Sequence, residues 1–362
     1  MLKSAGLENA ALWLMRKTFR NYRSGKDTLD PGYPRFNYNY GKSLLERGFI
    51  RNPVTLADDH SNFMEWKRHA DQNAFEFLGR AYNQGRLLSA GGALASLMAL
   101  RGEVGRAMQL ADELADAASS SAAKSDLCDV AIFSATIYDI VGMFHPGAAQ
   151  LIGCLDRTRQ LGDEPHRAIL CIELGGLLAN AREPANADNF LAEGASVANR
   201  LGLDSVLLHA AAVRGLRLLP SDPEAAVKQL REVRDVLRAQ DDVPLYARVD
   251  LNEPEATAVA IKGRHPLLCR VLLDLAAASM FAADNATLNQ TLDDLDDLTV
   301  EWFPGYCPHY YLIYAECLML SDGPENRPMI QSLLGRARQV GDTSGNPWVE
   351  QAVEVLERRL KS

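Results

Sequence analysis

The chain has 362 residues, 47% hydrophobic and 23% charged, with a formal net charge of −9. This apolar content supports a large packed core and excludes a disordered or collagen-like chain. No apolar run reaches the roughly 18 uncharged residues that a membrane-spanning helix needs. The acid excess also argues against general nucleic-acid binding, which requires clustered cations.

The elements expected along the chain are nearly all helical. Residues 1 to 26 carry Lys3, Arg16, Lys17, Arg20, Arg23 and Lys26 against Glu8. Leu7, Ala11, Leu14, Thr18 and Tyr22 recur at helical spacing, which predicts an amphipathic first helix near 5–23. Met1 is not followed by a long apolar stretch and a cleavage site, so no secretory signal is expected. Residues 24 to 61 differ in kind: Asp30-Pro31-Gly32-Tyr33-Pro34 reads as a turn, and Tyr33, Phe36, Tyr38 and Tyr40 alternate with polar residues. We read this stretch as an irregular aromatic cap, with a ligand-gripping arm as the functional alternative. The expected division is therefore 1–61, a first helix and cap, and 62–362, a helical repeat domain.

From residue 62 the apolar period is three to four, and strand-like clusters are scarce. Helices are predicted near 62–85, 88–101, 104–119, 125–143, 147–161, 166–182, 186–201, 204–219, 223–240, 266–283, 285–302, 306–321, 325–340 and 346–360. Breaks such as Asp163-Glu164-Pro165, Arg182-Glu183-Pro184 and Asp322-Gly323-Pro324 each stop one helix and start another, because proline fits only a helix's first turn. The six cysteines (Cys128, Cys154, Cys171, Cys269, Cys307, Cys317) form no Cys-x-x-Cys pair and sit mostly in apolar helical runs, as expected in a reducing, cytoplasmic compartment.

The hairpins repeat. Ala107, Ala148, Ala187 and Ala225 stand 41, 39 and 38 residues apart, and Ala286 follows after 61. Arg159-Gln160-Leu161-Gly162-Asp163, Arg200-Leu201-Gly202-Leu203-Asp204 and Arg338-Gln339-Val340-Gly341-Asp342 share one helix-end signature, with glycine as the left-handed cap. Such a period means that each pair buries its apolar face on its neighbours. Leu78-Gly79-Arg80-Ala81-Tyr82 with Gly85, and Leu174-Gly175 with Ala187, resemble the tetratricopeptide-repeat family. The period near 40 is similar to that of the variant repeats in bacterial regulators of the maltose-activator type. Thr136, Val213 and Asp274 occupy positions where that family has a small residue, and residues 241–265 interrupt the period. The resemblance implies an all-α, right-handed superhelical solenoid of antiparallel helix pairs.

Two constellations suggest chemistry. Asp293-Asp294-Leu295-Asp296-Asp297 fits the Asp-Asp-x-x-Asp pattern by which all-α prenyl-transferring enzymes hold magnesium and a diphosphate. Leu288, Leu292, Leu295 and Leu298 make an apolar stripe that would instead leave the aspartates on a solvated face. His265 and Cys269, with Cys307 and His309 some 40 residues on, are candidate zinc ligands; Cys-x-His is not a usual ligand spacing, and a cap or core role beside Pro266 and Pro308 is sufficient to account for them. No nucleophile elbow, phosphate-binding loop or dinucleotide fingerprint occurs, so neither a cofactor nor an enzymatic activity is expected.

What remains is a surface. The first helices of the pairs are unusually apolar: Leu127 to Phe144 offers only Asp129, Ser134, Thr136 and Asp139 as polar groups, and Leu267 to Ala283 only Arg270, Asp274 and Ser279. Either the inner curve is packed shut, by tight winding or by a second copy in a homodimer, or it is a groove for a partner segment. In the second case Tyr138, His209, Arg214, Arg217, Tyr310 and Tyr314 are the candidate contacts, since Tyr and Arg anchor interfaces. The expected function is a non-catalytic scaffold for a protein or peptide partner. The alternatives are a sensor for a short peptide or small apolar molecule, and a magnesium-dependent enzyme acting on a diphosphate.

Overall fold

In the computed structural model, which describes Phe75 and residues 78–83, 86–119, 124–241, 266–321 and 324–361, all regular structure is helical. The helices expected at 5–23 and over most of 62–85, the aromatic segment 24–61 and the interruption at 241–265 lie outside the described residues, save Asp241. No described helix is long and apolar enough to cross a membrane. The described residues fall into two compact units, one made of those before Ala95 together with 237–241, the other of those in Ala95–Val236 and Pro266–Ser362. The second unit carries everything that follows.

Its helices are α1 (Leu88–Leu100, which begins in the first unit), α2 (Val104–Ser119), α3 (Lys124–Ile140), α4 (Phe144–Leu161), α5 (Glu164–Asn180), α6 (Pro184–Leu201), α7 (Asp204–Leu218), α8 (Pro223–Asp241, which ends in the first unit), α9 (Pro266–Phe281), α10 (Asn285–Asp297), α11 (Cys307–Leu320), α12 (Arg327–Ser344) and α13 (Pro347–Lys361). Most starts agree with the proline punctuation, because a proline in the first turn gives up an N–H that has no intrahelical partner anyway. Asp163 caps α5 by accepting from the His166 amide, and Asp284 caps α10 by accepting from that of Thr287.

Each helix from α2 to α7 packs on the next, as does each from α11 to α13. In addition α3 packs on α5, α5 on α7, α7 on α9, α9 on α11 and α11 on α13. This serial pattern follows from the apolar stripes. Cys128, Ala131 and Ala135 of α3 meet Leu151, Cys154 and Leu155 of α4 and Leu170, Cys171 and Leu174 of α5 in one buried cluster. Leu333, Leu334 and Ala337 of α12 meet Val349, Val353 and Leu356 of α13 in another.

Of the repeat alanines, Ala107, Ala148 and Ala187 are buried, Ala225 is half-buried beside the buried Ala226, and Ala286 is exposed. Two sequence expectations shift. The helix ends at Gly162 and Gly202 do carry left-handed glycines, at φ 67° and 66°. The third signature does not: α12 runs through Gly341 and stops at Gly345, φ 70°. A methyl on Gly341 would lie 2.7 Å from Val349, so this glycine lets α13 approach α12. Finally, the helix expected over 285–302 leaves α geometry at Asp297, passes through a π turn over Leu298–Trp302 and a short 3-10 turn over Pro304–Tyr306, and so sets down Tyr306.

The run of helices also returns on itself within this unit. The Asn346 amide, 5% exposed, donates to the Ile140 carbonyl at 3.1 Å. At Gly305 an added methyl would fall 2.0 Å from the Ala99 carbonyl oxygen, a backbone approach that only glycine allows.

Candidate functional site

The polar residues that stand alone on the most apolar helices converge. Arg270 and Asp274 lie one turn apart on α9, Asp139 near the end of α3 and Asn180 at the end of α5. Arg270 donates from Nη1 to both carboxylate oxygens of Asp139 at 2.8 Å. Its Nη2 reaches Asn180 Oδ1 at 2.9 Å and Asp274 Oδ1 at 3.2 Å, and its Nε lies 3.4 Å from Asp274 Oδ2. Asn180 Nδ2 donates to Asp139 Oδ1 at 3.1 Å, and the Tyr306 hydroxyl donates to Asp139 Oδ2 at 3.2 Å. The guanidinium thus ties together segments up to 131 residues apart. Its side chain is 19% exposed, and those of Asp139 and Asp274 are 16% and 10% exposed.

Burial and proximity set the protonation of this cluster. Burial opposes the Arg270 charge, but Asp139 and Asp274 overcome it and hold the guanidinium protonated. Asp274 is pushed up to about 6, because the loss of water outweighs the help of Arg270. Burial, and then Asp139, raise the Tyr306 hydroxyl well above its ordinary value. Beside this network, Glu173 of α5 faces His209 of α7, with Oε1 3.5 Å from Nδ1. Burial and the Asp139 charge push Glu173 up to about 8, while burial pulls His209 down to about 4. At neutral pH this pair is therefore largely uncharged. About a quarter of each side chain remains reachable, 25% for Glu173 and 28% for His209. His309 of α11 stacks on Trp348, ring centres 4.7 Å apart, and meets the edge of Tyr306; burial pulls it down to about 3.

Of the six candidate contacts, only His209 joins this cluster. Tyr138 is half-buried against the α3–α5 core, Arg217 pairs with Asp188 at 3.0 Å, and Arg214 is exposed. Tyr310 is buried and hydrogen-bonded to Asp296, with the Tyr314 ring 6.0 Å away. Asp139, Glu173, Asn180, Asp274 and Tyr306 were not candidates. Their signal was present for Asp139 and Asp274, which are conspicuous as rare carboxylates in apolar helices, but periodicity carries no information on which distant helix supplies the counter-charge.

On α10, Leu288, Leu292, Leu295 and Leu298 are buried while Asp293 and Asp296 are exposed, the arrangement of a solvated acidic face. The side chain of Asp297 lies outside the described residues. So does His265, one of the four candidate zinc ligands. Cys269 and Cys307 are buried, and burial raises both thiols. No group of three His, Cys, Asp or Glu side chains among the described residues is placed to hold a metal ion. The remaining cysteines form no disulfide and are likewise shifted: burial raises Cys128 and Cys154 to about 11 and Cys171 and Cys317 to about 12. These thiols are protonated at neutral pH and poorly suited to nucleophilic work.

No protein-family model matches the chain, and a search of curated proteins found no match either.

Proposed function

We propose that the chain is a non-catalytic binding module of tetratricopeptide-like character that takes an extended protein segment or peptide along α3, α5, α7, α9 and α11. One observation carries this reading: these helices, each packed on the next, collect polar side chains at one place, and there Glu173 and His209 stay partly reachable while Arg270 is fully engaged. Rigid display of such groups lets a partner bind without an ordering cost on the module's side. The shifted thiols and the mutual engagement of Asp139, Asp274 and Arg270 leave no activated nucleophile in the cluster, which favours binding over turnover. The test is affinity selection of a displayed random-peptide library on the purified chain, followed by titration of the enriched peptides. Peptides that bind wild type and lose affinity in Glu173→Gln and His209→Ala support the module. No enrichment, or binding that both substitutions leave intact, overturns it.

The same geometry favours a ligand-responsive sensor as the second reading. Arg270 links α3 to α9, so a ligand that competed for Asp139 would bear directly on how the helices wind. A sensor gains thermal stability on binding its ligand, and that gain disappears with the link in Arg270→Met.

A further inference from the structure

A groove of about 480 Å³ is lined by Arg101 and Gly102 of the turn after α1, Pro304, Tyr311 of α11, and Arg336, Gln339, Val340, Thr343 and Ser344 of α12. In a chain of net charge −9 this lining holds, among the described residues, two guanidiniums and no carboxylate. On α12 the contrast is direct. Arg338 is gripped by Glu350 and Glu357 at 2.8 and 3.1 Å, whereas Arg336, two residues earlier, is exposed and makes no ion pair among the described residues. Gly102 stands at φ 82°, which turns the chain sharply where Arg101 enters the groove.

We propose that this groove is a binding site for a small ring-bearing phosphate ester of mononucleotide size. A guanidinium matches phosphate oxygens in a planar, two-pronged geometry. Tyr311, Pro304 and Val340 offer an apolar wall for a ring. Gln339 and Thr343 offer an amide and a hydroxyl for its polar edge; Thr343 Oγ1 is fixed by donating to the Gln339 carbonyl at 2.8 Å. The volume falls within the roughly 300–1,000 Å³ usual for small-molecule sites. This site is independent of the peptide-binding reading and stands or falls without it.

The test is calorimetric titration and thermal shift of the full chain with adenosine 5′-diphosphate, inorganic pyrophosphate and adenosine. Saturable binding of the diphosphate ester is expected, weakened about tenfold or more in Arg336→Ala and in Arg101→Lys and weakened by added salt. Arg336 is exposed, so Arg336→Ala should unfold at the wild-type temperature when no ligand is present. Four results overturn the proposal: no saturable binding of adenosine 5′-diphosphate; affinity unchanged in both arginine variants; adenosine binding as tightly as the ester; or pyrophosphate alone binding as tightly as the ester.

Discussion

Arg270 has all its donors engaged by Asp139, Asp274 and Asn180, and this makes it costly to lose. Removing one partner of a buried ion pair leaves the other charge desolvated, so Arg270→Met should destabilise the chain by about 3–5 kcal/mol, read by chemical denaturation. Replacing Asp139 and Asp274 by leucine in the same chain should recover much of that loss, because an apolar core of similar volume has no charges to desolvate. Failure of the triple variant to recover would mean that the cluster holds the backbone in place beyond its own charge balance. Glu173 gives a second prediction. Its folded value, about 8, lies above its ordinary 4.5, so the stability it contributes is full below pH 4.5 and is lost as pH rises towards 8. His209 has the opposite sign: pulled from 6.5 to about 4, it loses stability as pH falls through that window. The two offset each other between 4.5 and 6.5, leaving the Glu173 loss uncovered above 6.5. His166, raised chiefly by its hydrogen bond to Asp129, adds a loss of the same sign as pH rises. Glu173→Gln should therefore flatten the fall in melting temperature between pH 6.5 and 8 relative to wild type, without abolishing it.

The helices themselves were largely legible. Proline and glycine punctuation located α2, α7 and α9 to within two residues, since helix starts and left-handed stops are local chemistry. Where packing decides, local signals mislead. Gly341 has the sequence context of a cap, yet it serves as a close contact, and Gly345 does the capping. The two glycines should respond differently. Gly341→Ala overpacks against Val349 and should cost about 1–3 kcal/mol, with partial rescue by Val349→Ala. Gly345→Ala is strained by its positive φ, costs about 1 kcal/mol, and gains nothing from the change at Val349. Equal rescue of both in denaturant melts would contradict these roles. The π turn after α10 was equally illegible, because Leu288, Leu292, Leu295 and Leu298 continue a helical stripe into it; it is what brings Tyr306 to Asp139.

Across the second unit, the sequence indicated serial packing but not the return. A repeat period describes neighbours, whereas Arg270 to Asp139 and Asn346 to Ile140 join positions far outside any period. That is also why, of the six candidate contacts, only His209 falls at the convergence. The return contact has its own test. Asn346→Ala leaves the buried Ile140 carbonyl without its donor, which should cost about 1–3 kcal/mol. Hydrogen exchange should then accelerate together at the end of α3 and the start of α13, although these segments are some 200 residues apart in the chain. Acceleration confined to α13 would show that the contact closes nothing.

The Arg270–Asp139 link also has a consequence during synthesis. On the ribosome the carboxylate emerges 131 residues ahead of the guanidinium that neutralises it. At usual elongation speeds that interval is on the order of ten seconds. Through it, Asp139 is without the guanidinium that neutralises it, although every member of the buried α3–α5 cluster has already been made when Arg270 arrives.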